Sequence, residues 1–317
     1  MGIEMLSRTA DHLYWMARYV ERAENMARVL DVTYRMSLMA NTAQDETSQW
    51  LTPLTIAGHL EQFQQQSGEQ FTARDIIHQL TLDESNPVSI ISALNNARNN
   101  ARSVRVAMSS EMWESVNSLW LELRQRAAVG ITEEGLSEFC DWVKARSHLF
   151  RGVTFGTMLR DDGYRFIRLG TFTERADNTA RLLDVKYHLL MPSVEKAEGV
   201  VDYYEWSALL RSVSAFEAYQ KVFRDTITPS RVAELLVLRH DMPRSLHSCL
   251  DEIMPILEYL SGARDNECCR LGGELHARLH YGRIEPILQD GLHEFLADFI
   301  ERNEALCSDI QHTFLRT

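Results

Sequence analysis

Apolar residues recur at three- and four-residue intervals along most of the chain, and no stretch alternates apolar and polar positions at period two. The pattern therefore predicts helices and no sheet. A first helix is expected from about Thr9 to Ala40, with Ser7 or Thr9 as its N-cap. A second follows from Thr47 to Gln65, and a short one from Thr72 to Leu80. Asn86-Pro87 opens a long helix reaching about Ala128, since proline suits a first turn. Gly130 breaks it, another helix covers Thr132 to Leu159, and Asp161-Asp162-Gly163 signals a turn. Beyond the turn, helices are expected over Tyr164–Leu190, stopped by Pro192, then Trp206–Phe223 and Ser230–Leu238. Met242-Pro243-Arg244-Ser245-Leu246 opens a further helix. Two segments, Asp265–His280 and Asp290–Leu315, close the chain.

The second half of this order repeats the first. With Glu21 laid on Glu174, ten of the fourteen positions from Glu21 to Tyr34 are identical in the segment ending at Tyr187. Trp50 matches Trp206, and Asn86-Pro87-Val88-Ser89-Ile90 matches Met242-Pro243-Arg244-Ser245-Leu246. An internal repeat outranks single-residue signals in deciding architecture. The expected fold is an all-α multi-helix bundle of two pseudo-symmetric repeats, residues 5–160 and 161–317, sharing one core, because no Pro/Gly/Ser-rich linker separates them.

Each copy of the repeated helix has an apolar seam: Leu13, Met16, Val20, Ala23, Ala27, Leu30 and Tyr34 in one, Phe166, Leu169, Thr173, Ala176, Ala180, Leu183 and Tyr187 in the other. The paired alanines let a neighbouring helix approach closely, and the two repeated helices are candidates to pack on each other there. Beside each seam runs a polar line, Glu21, Glu24, Arg28, Asp31 and Glu174, Asp177, Arg181, Asp184, flanked by Arg22 with Asn25 and Arg175 with Asn178. At i+3 and i+4 spacing these side chains are surface neighbours. Three readings stand. They decorate a solvated face, where such pairs contribute about 0.3–0.5 kcal/mol each. They form a buried salt-bridge network holding the halves in register. Or they line a ligand pocket.

Arg98, Arg102 and Arg105, at i, i+4 and i+7 among asparagines, either neutralise those carboxylates or hold an anion. Arg244, read as a first-turn cation opposing the helix dipole, calls for a carboxylate or bound anion. His276 and His280 lie four apart, but neither HExxH nor a Glu-x-x-His pair appears, so no metal is expected. No P-loop, GxGxxG, GxSxG or Cys/His nucleophile pair is present, and no cofactor is expected. Five dispersed cysteines fit reduced thiols rather than a disulfide framework. A net charge of −12 excludes general nucleic-acid binding, which needs a basic face. No apolar run reaches membrane-spanning length, and no basic segment followed by an apolar one opens the chain, which predicts a cytoplasmic protein without membrane contact.

The blocks LSRTADHLYWMARYVERAENMARVLDV, NPVSIISALNNARNNARSVRVAMSSEMWESVN, GTMLRDDGYRFIRLGTFTERADNTARLLD and MPRSLHSCL resemble the bacterial alpha-E family, an all-α domain named for a Glu-Arg motif, over about Met5 to Leu315. The motif falls on Glu21-Arg22 and Glu174-Arg175. Thr171 stands where the first copy has Arg18, so the copies are not interchangeable. Proteins of this family are typically encoded beside, or fused to, a circularly permuted ATP-grasp protein, with transglutaminase-like and proteasome-like peptidase neighbours. The resemblance thus implies a non-catalytic helical partner of an amide or peptide ligase, which binds the ligase or presents a peptide or amino-acid acceptor. The alternative is an enzyme with Glu21 and Glu174 as acid–base groups. Arg22, Asn25, Arg28, Arg98, Arg102, Arg175, Asn178, Arg181 and Arg244 are then candidates to bind a carboxylate or amide substrate.

Overall fold

The computed structural model describes residues 7–38, 43–67, 71–190, 200–262 and 266–315, and among these it is all-α, with no strand. The chain divides into two compact units, Met1–Thr171 and Phe172–Thr317. No described helix is long and apolar enough to cross a membrane.

The first unit holds α1 (Ser7–Ser37), α2 (Ala43–Ile56), α3 (Leu60–Ser67), α4 (Ala73–Thr81), α5 (Ile90–Ser103), α6 (Ser110–Val129), α7 (Leu136–Thr157) and the start of α8 (Asp162–Leu190). Its spine is α1, against which α5, α7 and α2 pack. Leu13, Met16, Val20, Ala23, Ala27 and Leu30 are all buried. Ala23, Ala27 and Leu30 enter one core with Trp50, Ile77, Leu94, Leu119 and Phe139, drawn from α2, α4, α5, α6 and α7. Complete burial of each large apolar side chain contributes about 1.5–3 kcal/mol. At Gly170 of α8 a Cβ would lie 2.3 Å from the Tyr14 carbonyl oxygen of α1.

The second unit continues α8 and adds α9 (Val200–Ser212), α10 (Phe216–Phe223), α11 (Pro229–Val237), α12 (Leu246–Ser261), α13 (Glu267–His280), α14 (Ile284–Asp290) and α15 (Leu292–Ile310), ending in a π-helical turn, Gln311–Leu315. Here α13 packs between α12 and α15, and α11 touches α9, α12 and α14. The second seam is buried from Phe166 to Leu183, while the Tyr187 side chain lies outside the described residues.

Side-chain caps set several helix starts. Thr72 and Asp75 close a capping box on α4, and Thr228 caps α11. Ser89 caps α5 by accepting from Ser92 N, and Ser245 caps α12 by accepting from Ser248 N. Each of those serines also donates to a carbonyl six residues back, Asp83 or Arg239.

Three expected helices are broken and a fourth starts late. The one expected over Thr47–Gln65 is α2 and α3, parted at Gly58, whose φ of +65° suits glycine. The one from Pro87 to Ala128 is α5 and α6, separated by a 3₁₀ turn Arg105–Ala107 and restarted by the Ser109 cap. That over Trp206–Phe223 is α9 and α10, split where Ser214 takes φ 53°. Asp290–Leu315 begins only at Leu292, after Gly291.

Candidate functional site

The polar line of α1 points into the first unit rather than into water. Glu21 is 1% exposed and Glu24 0%. A buried carboxylate is tolerated only when ion-paired and hydrogen-bonded, and α7 supplies most of what is needed. Arg151 Nη1 donates to Glu21 Oε2 at 3.1 Å and also reaches Glu24 Oε2. Ser147 Oγ donates to the same Glu24 oxygen at 2.5 Å, and Arg151 Nη1 to Ser147 Oγ at 2.9 Å. From within α1, Arg28 Nε and Nη2 lie 2.9 and 2.8 Å from Glu24 Oε1. His148 Nε2 stands 3.3 Å from Arg28 Nη2.

Two turns along, Asp31 has its own set. Lys144 Nζ lies 2.9 Å from Oδ2, Ser137 Oγ donates to Oδ1 at 2.8 Å, and Arg35 Nε donates to the same oxygen at 3.1 Å. Burial pushes the Asp31 carboxyl up, but the Lys144 and Ser137 hydrogen bonds and the Lys144 and Arg35 charges outweigh it and hold its pKa below the ordinary aspartate value. Burial likewise works against the Lys144 ammonium, and Asp141 and Asp31 overcome it, so its pKa is raised.

The α8 line is built differently. Glu174 and Arg175 are buried, at 5% and 7% exposure, whereas Asp177, Asn178, Arg181 and Asp184 are half-buried. Arg181 donates through Nε to Asp177 Oδ2 at 2.8 Å and through Nη2 to Glu304 Oε1 of α15 at 2.6 Å. Asp184 pairs with His293 of α15, Oδ1 to Nδ1 2.6 Å, and that hydrogen bond raises the imidazole pKa. Arg175 lies over the Phe172 ring, and its Nη1 donates to the Pro243 carbonyl at 3.4 Å. Thus α1 meets cations from α7, while α8 meets a glutamate and a histidine from α15.

The remaining candidates are dispersed. Arg22 is half-buried over the Tyr19 ring, and Asn25 is buried. Arg98 does not neutralise the α1 carboxylates; it donates to Asn117 of α6 at 3.2 Å. Arg102 is exposed, and Arg105 sits in the 3₁₀ turn over the Trp113 ring. The arginine stripe fails because the helix ends at Ser103, before Arg105. Arg244 is not in a first turn: Ser245 is the N-cap and α12 starts at Leu246, so the dipole argument falls away. It is nevertheless buried, and its carbonyl accepts from Thr179 Oγ1 at 3.0 Å. The five cysteines are free thiols. Burial and the Asp309 hydrogen bond push the Cys268 thiol up to about 12, which keeps it protonated at neutral pH.

Sequence reasoning missed Ser137, Lys144, Ser147 and Arg151. Their spacing of seven, three and four residues is a polar stripe along α7, interrupting the apolar line of Phe139, Cys140, Val143 and Phe150. That stripe was the available signal.

Comparison with known proteins agrees with this architecture. The chain is 24% identical over 330 residues to "Uncharacterized protein Mb2597" of Mycobacterium bovis and "Uncharacterized protein Rv2567" of Mycobacterium tuberculosis. In each case 98% of this chain is matched and 36% of the relative, so the chain spans about a third of the length of these relatives. No solved structure matches it. The family model Alpha-E, described as a predicted alpha-helical domain with a conserved ER motif, matches residues 5–315. With its Glu-Arg pairs at Glu21-Arg22 and Glu174-Arg175, the chain belongs to the Alpha-E family.

Proposed function

We propose that this chain is a non-catalytic helical partner of an ATP-grasp-type amide or peptide ligase. It binds the ligase or presents a peptide or amino-acid acceptor to it, in the cytoplasm. The observation that carries the reading is the burial of both acid–base candidates, Glu21 at 1% exposure beside Arg151 and Glu174 at 5%. An acid–base catalyst needs a substrate proton within hydrogen-bond reach, and a carboxylate so enclosed serves the fold instead. Support also comes from the resemblance, which places such proteins beside or fused to circularly permuted ATP-grasp proteins, and from the mycobacterial relatives, in which the matched segment is 36% of a longer polypeptide. That arrangement suits a module working next to another domain.

Co-expression with a circularly permuted ATP-grasp protein from the same genome, followed by co-purification and ligase assay, tests the proposal. A stable complex, with ligation lost when this chain is omitted, is expected. Absence of a complex together with full ligation by the ATP-grasp protein alone overturns it. Turnover by this chain alone, abolished in Glu21→Gln at an unchanged melting temperature, would establish the enzyme reading instead.

A further inference from the structure

Across the α12–α13 contact of the second unit lies a cluster that the Glu-Arg ridges do not use. His247, in the first turn of α12, is held rigidly. Its Nδ1 lies 2.8 Å from the Leu238 carbonyl oxygen. A carbonyl only accepts, so Nδ1 carries the hydrogen and the neutral ring presents a lone pair at Nε2. That nitrogen is buried, in a residue 5% exposed, and makes no hydrogen bond. Its neighbour Asp251, one turn along α12, keeps Oδ1 3.6 Å away, beyond hydrogen-bond distance.

From α13, His276 and His280 project at i,i+4 toward the same point, and one ligand nitrogen from each of the three histidines lies within 4.8 Å of the others. Asp251 Oδ1 is also 2.7 Å from His276 Nε2. Three imidazoles from two facing helices therefore converge, with Asp251 hydrogen-bonded beside them. A protein has little use for three clustered imidazoles beside one carboxylate as a charge network, because protonating them all sets like charges together. A shared cation resolves this. Its imidazole donors suit zinc, and a backbone carbonyl behind His247 is the usual support that fixes ring tautomer and orientation.

We propose that His247, His276 and His280 form a zinc-class divalent metal site stapling α12 to α13, with the Asp251 carboxylate as the hydrogen-bonding support of His276. Zinc–nitrogen bonds of about 2.0–2.1 Å at tetrahedral angles place ligand atoms about 3.3 Å apart, so histidine nitrogens now up to 4.8 Å apart close in by up to about 1.5 Å on binding. His280 is exposed and His276 half-buried, while His247 is buried. With three protein ligands a fourth position stays open to water, and the ion ties the first turn of α12 to the end of α13. It belongs to the second unit alone: 156 positions back, Ile91 and Asn95 stand in place of His247 and Asp251.

The full chain, stripped with chelator and dialysed, is titrated with Zn²⁺ by calorimetry and with Co²⁺ by visible absorption. One zinc per chain at micromolar or tighter Kd, a higher melting temperature and the intense bands of tetrahedral cobalt are expected. His280→Ala, at an exposed position, should weaken zinc at least tenfold and erase the cobalt bands, and Asp251→Asn, which removes the carboxylate beside His276, should weaken zinc about tenfold. His247→Ala should do the same, and the two exposed-side variants decide the matter if it fails to fold. Failure of the wild-type chain to bind zinc at micromolar concentration, or wild-type affinity in His280→Ala and Asp251→Asn, overturns the proposal.

Discussion

Glu24 reaches its full burial only because three groups meet its two oxygens, and removing such a carboxylate strands them. Breaking one side of a buried pair costs about 3–5 kcal/mol. Glu24→Ala should accordingly lose that much in urea denaturation, whereas Arg102→Ala, at an exposed position, should stay within about 0.5 kcal/mol of wild type. Equal losses in the two variants would mean that the ridge contributes nothing beyond a solvated face. At this scale the sequence was half legible. Glu24 with Arg28 is an i,i+4 pair visible in any helical reading. Arg151 and Lys144 lie 127 and 113 residues from the carboxylates they meet, and helical periodicity carries no information about which remote face is opposed. Arg98 was the plausible wrong choice: it is basic and on the neighbouring α5, yet a helix presents only one side to α1, and Arg98 turns toward Asn117.

Helix existence and order were readable because the apolar period is strong, and helix starts were readable where a side chain makes the cap, as at Thr72, Ser89, Thr228 and Ser245. The breaks inside expected helices were not, because backbone conformation makes them. Gly58 at φ +65° is one of fifteen glycines, and Ser214 at φ 53° carries no residue-type signal. Close helix approach also leaves its mark in a single small residue. Gly170→Ala would ordinarily stabilise a helix interior by about 0.5–1 kcal/mol. Here the new methyl would meet the Tyr14 backbone oxygen at 2.3 Å, and backbone yields only if α1 and α8 move apart. We expect a net loss of about 1–3 kcal/mol, with Ala23→Leu, in the packed first core, losing a similar amount. A raised melting temperature in Gly170→Ala would show that the contact is loose.

Over the whole chain, paired charges should write opposite slopes into the dependence of stability on pH. Asp31, Asp75, Asp241 and Asp298 all have depressed pKa values, through hydrogen bonds and charge from Lys144, Thr72, Arg239 and the Arg278–Arg302 pair, with burial opposing the shift at Asp31 and Asp298. A depressed carboxylate contributes fully above its unfolded pKa of about 3.9 and loses that contribution as pH falls through its folded value, since the unfolded chain then binds more protons. His293 is the reverse case. Raised by Asp184, it contributes fully below about pH 6.5 and loses that contribution as pH rises through its folded value. The carboxylate contribution should therefore be lost below about pH 4 and the His293 contribution above neutrality, the second being small because the His293 pair is solvent-screened. Two variants separate the contributions. Asp31→Asn should be less stable than wild type at pH 7, with the gap closing as both are acidified toward pH 2. Asp184→Asn should show its larger gap at pH 6 and a smaller one at pH 9. Melting temperatures across that range decide it, and gaps that stay constant with pH would mean that neither pair is linked to folding.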